Sequence, residues 1–325
     1  MKVTIDLNQE EIDFLTEVIE NGNYCGIQDF VKFSIQSYRN EYEKYSNRPP
    51  KTSNKDLIKD VKFNILLNKY DNIRTLEPPP DQIINDTLYG MWNRFFPIKI
   101  ATRILANLQL KNDYVNINEI QEKAANAARE LGIMISLRER GTYTKRNESL
   151  SIALPIGKEA EKSKKRFMMQ FVGTIMSGKI CGMPGTLRLI NIANDKSELV
   201  KMGLTQKGRI FASLINPLLD SDNESNTLSE DEKNFLIDHI NTTLPKESKR
   251  MRTILNYVCN DFYEVKMIVS QIKKQASEID ERKLLLEVAG ILSRSSELGL
   301  LVKKSYGNMN EYSISEKGKK YLPMG

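Results

Sequence analysis

Three stretches of this chain share one phrase. From Glu297 the sequence reads ELGLLVKKSYGNMNEYSISEKGKKYL; ELGIMISLRER begins at Glu130 and MGLTQKGRIFA at Met202. A chain that repeats a helix end, a basic hairpin and a Lys-Gly helix start is constrained to small modules, and 325 residues hold about two to four of them. In the last copy Leu284, Leu285, Val288, Ile291, Leu292 and Leu298 fall on one helical face, and Gly299 supplies a positive-φ stop. LLVKK and EYSIS alternate as two strands around the turn-rich SYGNMN. The phrases GLTQKGRIF and YSISEKGKKY align the last strand of two copies.

Helix, glycine turn and basic hairpin in that order closely resemble the back half of a winged helix-turn-helix, a family common among microbial transcription regulators. Glu130 to Leu154 (ELGIMISLRERGTYTKRNESLSIAL) reads as a second version, and SELVKMGLTQKGRIFASL as a third, partial one. The resemblance implies duplex DNA as partner. A major groove about 12 Å wide accepts one helix, and a hairpin beside it reaches the flanking backbone. Cations on that hairpin gain affinity by counterion release. The implied contacts are Arg138, Arg140, Lys145 and Arg146 on the second copy's hairpin. In the C-terminal copy they are Lys303 and Lys304 on the wing and Lys317 beyond it, with Arg282, Ser293 and Arg294 on the helix face away from the apolar stripe. Winged helices also serve as protein-protein adaptors, so an assembly role without DNA stands as the alternative from another class.

The N-terminus is built differently. KVTIDLN alternates as a strand; Ile12, Leu15 and Ile19 then repeat at helical spacing, and a second helix runs from about Ile27 to Lys44. The strand, together with the junction NGNYCGIQDFVKFSI, resembles the ribbon-helix-helix (Arc/MetJ-like) dimers. That resemblance implies a homodimer through the strand, an outward ribbon face of Lys2, Thr4 and Asp6, and a phosphate-accepting helix start near Gly26 and Ile27. The first 44 residues carry four basic and nine acidic side chains, net −5, so the rest of the chain carries +11 of the overall +6. Asp6 and this charge argue for dimerisation rather than groove reading.

The expected organisation is mostly α with small β-hairpins: a ribbon-helix-helix over 1–44, a linker and helical connector over 45–90, one or two winged modules over 91–220, an exposed acidic hinge over 221–232 and a C-terminal winged module over 233–325. Within this frame helices are expected over about 57–70, 82–110 (one longer helix, or a pair broken at Pro97) and 117–131.

No catalytic constellation is complete in the sequence. GTIMSGKI, Gly173 to Ile180, resembles a phosphate loop but ends in Ile180, which has no hydroxyl for magnesium. Phe167 to Met176 reads instead as a helical stripe ending at Gly178, with Met168, Met169 and Met176 as core filler. His239 is the one histidine and reads as structural; Cys25, Cys181 and Cys259 form no C-x-x-C pair. Trp92 reads as part of a packing cluster with Phe95 and Phe96. No apolar run has membrane-helix length and no apolar leader opens the chain, so the expectation is a cytoplasmic protein that is not an enzyme and has no cofactor. The function expected is a homodimeric, sequence-specific DNA-binding transcription regulator, with replication initiation or DNA segregation as the alternative within nucleic-acid biology.

Overall fold

A computed structural model of the chain divides it into two compact units, Met1–Ile58 and Lys59–Gly325. It describes residues 9, 65–80, 86–141, 149–157, 159–176, 178–193, 200–221, 226–275, 280–306 and 309–322. The ribbon-helix-helix expectations, Lys2, Thr4 and Asp6 included, therefore lie outside the described residues. The second unit is mostly helical with small antiparallel sheets.

The first half of this unit begins with α1, Phe96–Gln109, which has Pro97 in its first turn, where a missing N–H costs nothing. Pro97 thus opens a helix instead of breaking one, and 86–95 is irregular. The short strand β1 (Val115–Asn116) leads into α2, Ile117–Gly141. This helix runs ten residues past the expected end at Leu131, straight through ELGIMISLRER. Gly132 does not stop it: a Cβ there would meet Ile156 and Leu154 at 2.6 and 2.8 Å, so the glycine serves close packing inside a run of helix formers. The expected second hairpin is accordingly helix up to Gly141. Arg138 and Arg140 lie on α2, whereas Lys145 and Arg146 fall outside the described residues.

Next come α3 (Ala160–Phe167), continued by a π-type turn over Met168–Val172, the hairpin β2 (Thr174–Met176) and β3 (Lys179–Cys181), and the single turn α4, Met183–Thr186. The expected helical stripe therefore stops at Val172, and Gly178 sits in the hairpin turn. Met169 and Met176, read as core filler, are 49% and 61% exposed. Strands β4 (Ile190–Ala193) and β5 (Lys201–Leu204) complete a three-stranded antiparallel sheet in the order β1-β5-β4, with Val115 opposite Met202. Residues 91–220 thus contain one three-stranded sheet, which is closed by α5, Gln206–Ser213, and the turn α6, Pro217–Asp220.

The second half comprises α7 (Glu230–Thr243), α8 (Pro245–Cys259), α9 (Val265–Gln275) and α10 (Glu281–Glu297). The hairpin β6 (Leu301–Tyr306) and β7 (Met309–Ile314) and the short α11 (Glu316–Tyr321) follow. The two halves repeat one plan. Asn112-Asp113-Tyr114 follows α1 and leads through β1 into α2; Asn260-Asp261-Phe262 follows α8 and leads through Tyr263 into α9. Val115 pairs with Met202, three residues before Thr205, and the Tyr312 N–H donates to the Tyr263 carbonyl at 2.9 Å, three residues before Ser315.

The ends of both wings match atom for atom. Thr205 Oγ1 donates to the Arg188 carbonyl (2.7 Å) and accepts from Gly208 N–H (3.1 Å), while its own N–H donates to Leu189. Ser315 Oγ donates to the Gly299 carbonyl (2.7 Å) and accepts from Gly318 N–H (2.9 Å), and its N–H donates to Leu300. Arg188 and Gly299 both hold positive φ, 52° and 76°. A Cβ on Gly208 would lie 1.9 Å from the Leu189 oxygen, and one on Gly318 would lie 2.1 Å from that of Leu300. Both repeated Lys-Gly pairs are therefore N-capped helix starts pressed onto a backbone turn.

Buried charge locks the halves together. Glu297, at the end of α10, accepts from the N–H groups of Phe95 and Phe96 at the otherwise uncapped start of α1 and from Thr227 Oγ1. Burial pushes the Glu297 carboxyl up, against the pull of Arg94 and those N–H groups. Lys99 meets Glu232 at 2.9 Å with both side chains fully buried; burial pulls its ammonium down to about 8, opposed by Glu232. Arg103 grips Asp220 with two donors, at 2.8 and 3.1 Å. In the described part of the expected 221–232 hinge, Thr227, Leu228 and Glu232 are buried while Ser221, Asn226, Glu230 and Asp231 are exposed. The connector is packed as well: Leu76 N–H donates to Leu204, and helix gives way to coil at Leu66, short of the expected Tyr70.

Candidate nucleic-acid interface

The C-terminal half presents a helix pair and a wing on one side. Asp280 caps α10 by accepting from Lys283 N–H at 2.7 Å. Leu284, Val288, Ile291 and Leu292 turn into the core. The outward face, at spacings of four, three and four, is Arg282, Leu286, Ala289 and Ser293; Arg282 and Leu286 are exposed and the other two half-buried. Arg282 and Ser293 thus fall on the face expected of them.

Arg294 does not. It is fully buried: Nη2 meets Glu247 Oε1 at 2.6 Å, and Nη1 donates to the carbonyls of Trp92 (2.6 Å) and Tyr89 (3.3 Å). Burial lowers its pKa while Glu247 opposes the shift. Here the segment 86–95 lies on α10 so closely that a Cβ on Gly290 would sit 2.2 Å from the Gly90 oxygen. Arg294 is therefore an interface anchor, not a DNA contact. Trp92, read as a packing residue, lies edge-on to Tyr89 at 6.0 Å.

Beside α10, the exposed side chains of α9 are Lys266, Ser270 and Lys274. An open groove of about 450 Å³ between the helices is lined by Lys266, Ser270, Lys273, Lys274 and Leu285. Lys273 is paired with Glu281 at 3.2 Å, while among the described residues Lys266 and Lys274 meet no carboxylate at ion-pair distance. In the wing, Lys304 is exposed opposite Glu311, and Lys303 lies half-buried opposite Tyr312. Lys317, at the start of α11, is drawn to Glu230 at 3.1 Å, where Lys233 and Lys317 together hold the Glu230 carboxyl below its usual range. The sequence reading missed the α9 lysines, since a helix before the apolar stripe carried no repeated phrase.

What this surface can do follows from its chemistry. It presents Arg282, Lys266, Lys274 and Lys304 as exposed cations, together with uncharged Leu286, Ala289 and Ser293 on α10. His239 is buried, its Nε2 2.6 Å from the Leu187 carbonyl and its ring stacked on Phe235. GTIMSGKI is a hairpin rather than a strand-to-helix phosphate loop. Among the described residues no three His, Cys, Asp or Glu side chains are grouped to hold a metal, and no helix is long and apolar enough to cross a membrane. No protein-family model, curated protein or solved structure matches the chain.

Proposed function

We propose that this is a duplex-DNA-binding protein whose Lys59–Gly325 unit is a tandem pair of winged helix-turn-helix modules, most simply employed as a transcription regulator. One observation supports the reading: in both halves the last hairpin strand pairs back to the chain just before the second helix, and in the C-terminal half α10 turns Arg282, Leu286, Ala289 and Ser293 outward, with exposed Lys266 and Lys274 on the neighbouring α9. The small, uncharged centre of that face suits entry into a major groove, and the flanking cations suit phosphate. The homodimer through the N-terminal strand, which rests on the ribbon-helix-helix resemblance alone, would make the preferred site an inverted repeat. The duplication favours a second reading, replication initiation or DNA segregation, where tandem winged helices also occur.

The test is anisotropy of a labelled duplex titrated with the full chain from about 50 to 200 mM salt. Log affinity should fall linearly with log salt, by about 0.9 per neutralised phosphate. Arg282→Glu with Lys266→Glu should lower both affinity and slope. Absence of duplex binding at the lowest salt would reject the reading and favour a protein adaptor.

A further inference from the structure

The first half should own a counterpart of α10, and the repeat identifies it. Between α2 and β4, the place α10 holds between α9 and β6, stands α3 with its π-type continuation, then the β2-β3 hairpin, then the turn α4. Gly182, where the chain returns from the hairpin, lies against its departure point: a Cβ there would be 2.8 Å from the Met169 oxygen and 3.1 Å from Gly173 Cα. One reading helix is thus interrupted by an extruded hairpin. Its outward residues are Lys162, Lys165, Arg166 and Met169, all exposed and spaced as one helical face. Lys162 reaches Glu159 at 3.4 Å in a solvent-exposed pair of little strength. The hairpin adds exposed Lys179 beside them.

We infer that α3 is a second duplex-DNA contact of different character: a sequence-independent clamp on the phosphate backbone, while α10 reads bases. This rests on the DNA-binding reading above. The contrast in side chains carries the division. Small Ala289 and Ser293 let α10 approach base edges, whereas Lys162, Lys165 and Arg166 put three charges on one exposed face, the arrangement that neutralises backbone phosphates by counterion release. The fully buried Lys99–Glu232 pair and the bonds from Phe95 and Phe96 N–H to Glu297 hold the two halves as one body that carries both contacts.

The test uses the full chain, Lys162→Glu/Lys165→Glu/Arg166→Glu in one variant and the corresponding three glutamines in a second, on two 30-bp duplexes of unrelated sequence. Wild-type melting temperature in either variant validates the comparison. Expected are a loss of about tenfold or more on both duplexes alike and a salt slope shallower by up to about 2.7, three contacts at about 0.9 each. Wild-type binding with an unchanged slope in both variants would overturn the clamp but leave the DNA reading intact. A loss confined to one duplex would overturn its sequence independence. Failure of the wild type itself to bind either duplex would sink the DNA reading and the clamp together.

Discussion

The two halves of the Lys59–Gly325 unit end their last hairpin strands in the same way and build the helical segment before the hairpin differently. Thr205-x-x-Gly208 and Ser315-x-x-Gly318 close on equivalent turns with hydrogen bonds of the same pattern. The helix before the wing, by contrast, is the unbroken seventeen-residue α10 in one half and α3, a hairpin and one turn in the other. The element that fixes sheet to helix tolerates little change, because its glycine touches backbone. The element that faces outward is free to diverge, and there the residue types part: Arg282 with uncharged Leu286, Ala289 and Ser293 on α10, and Lys162, Lys165 and Arg166 on α3.

The largest expected effects test the lock that makes the halves one body. Arg294→Met leaves Glu247 charged and buried and should cost about 3–5 kcal/mol, read from denaturant midpoints; adding Glu247→Gln should recover part of it. Lys99→Met, stranding Glu232, should cost about as much. A cost below about 1 kcal/mol for Lys99→Met would mean the halves are not held by its pair with Glu232. The equivalence of the wing ends comes next. Gly208→Ala and Gly318→Ala should each destabilise by at least about 1–3 kcal/mol, since neither carbonyl can retreat far. One neutral member would break the proposed correspondence. Thr205→Ala and Ser315→Ala should each cost about 1 kcal/mol, and dissimilar losses would separate the two caps.

The smallest effect concerns pH. Burial, the leading cause, lowers the His239 pKa in the folded chain, while its bond to Leu187 opposes this. The unfolded chain therefore binds the proton more readily, and this contribution to stability is lost as pH falls through the ordinary histidine range near 6.5. His239→Gln should flatten that part of the stability profile. An unflattened profile would detach α7 from the wing turn of the first half.

Local patterns were legible in the sequence and remote ones were not. The two Lys-Gly phrases could be aligned because cap, glycine and turn lie within a few residues, and the hairpin after Gly299 followed from alternation. The phrase at Glu130 misled: its letters match those at Glu297, yet Ile133 to Arg140 continue the helix and Gly132 faces Leu154 and Ile156 instead of a turn. Arg294 misled for a different reason. A helical wheel shows which face is apolar, but the segment that covers Arg294 comes from residues about two hundred positions earlier. The pairing of Glu232 and Asp220 was not legible because their partners, Lys99 and Arg103, lie more than a hundred residues away. Asn112-Asp113-Tyr114 and Asn260-Asp261-Phe262 were present throughout, and became informative only once both were seen to follow a helix and precede a wing contact.

The most direct test of the central claim, that α10 reads DNA within a duplicated winged frame, is sequencing of duplexes retained by the full chain from a random pool. The account predicts an enriched motif that changes when Ala289 and Ser293 are replaced by Arg and Gln and persists when the three α3 cations become glutamine. Enrichment of no motif by the wild type, or one indifferent to Ala289 and Ser293, would contradict it.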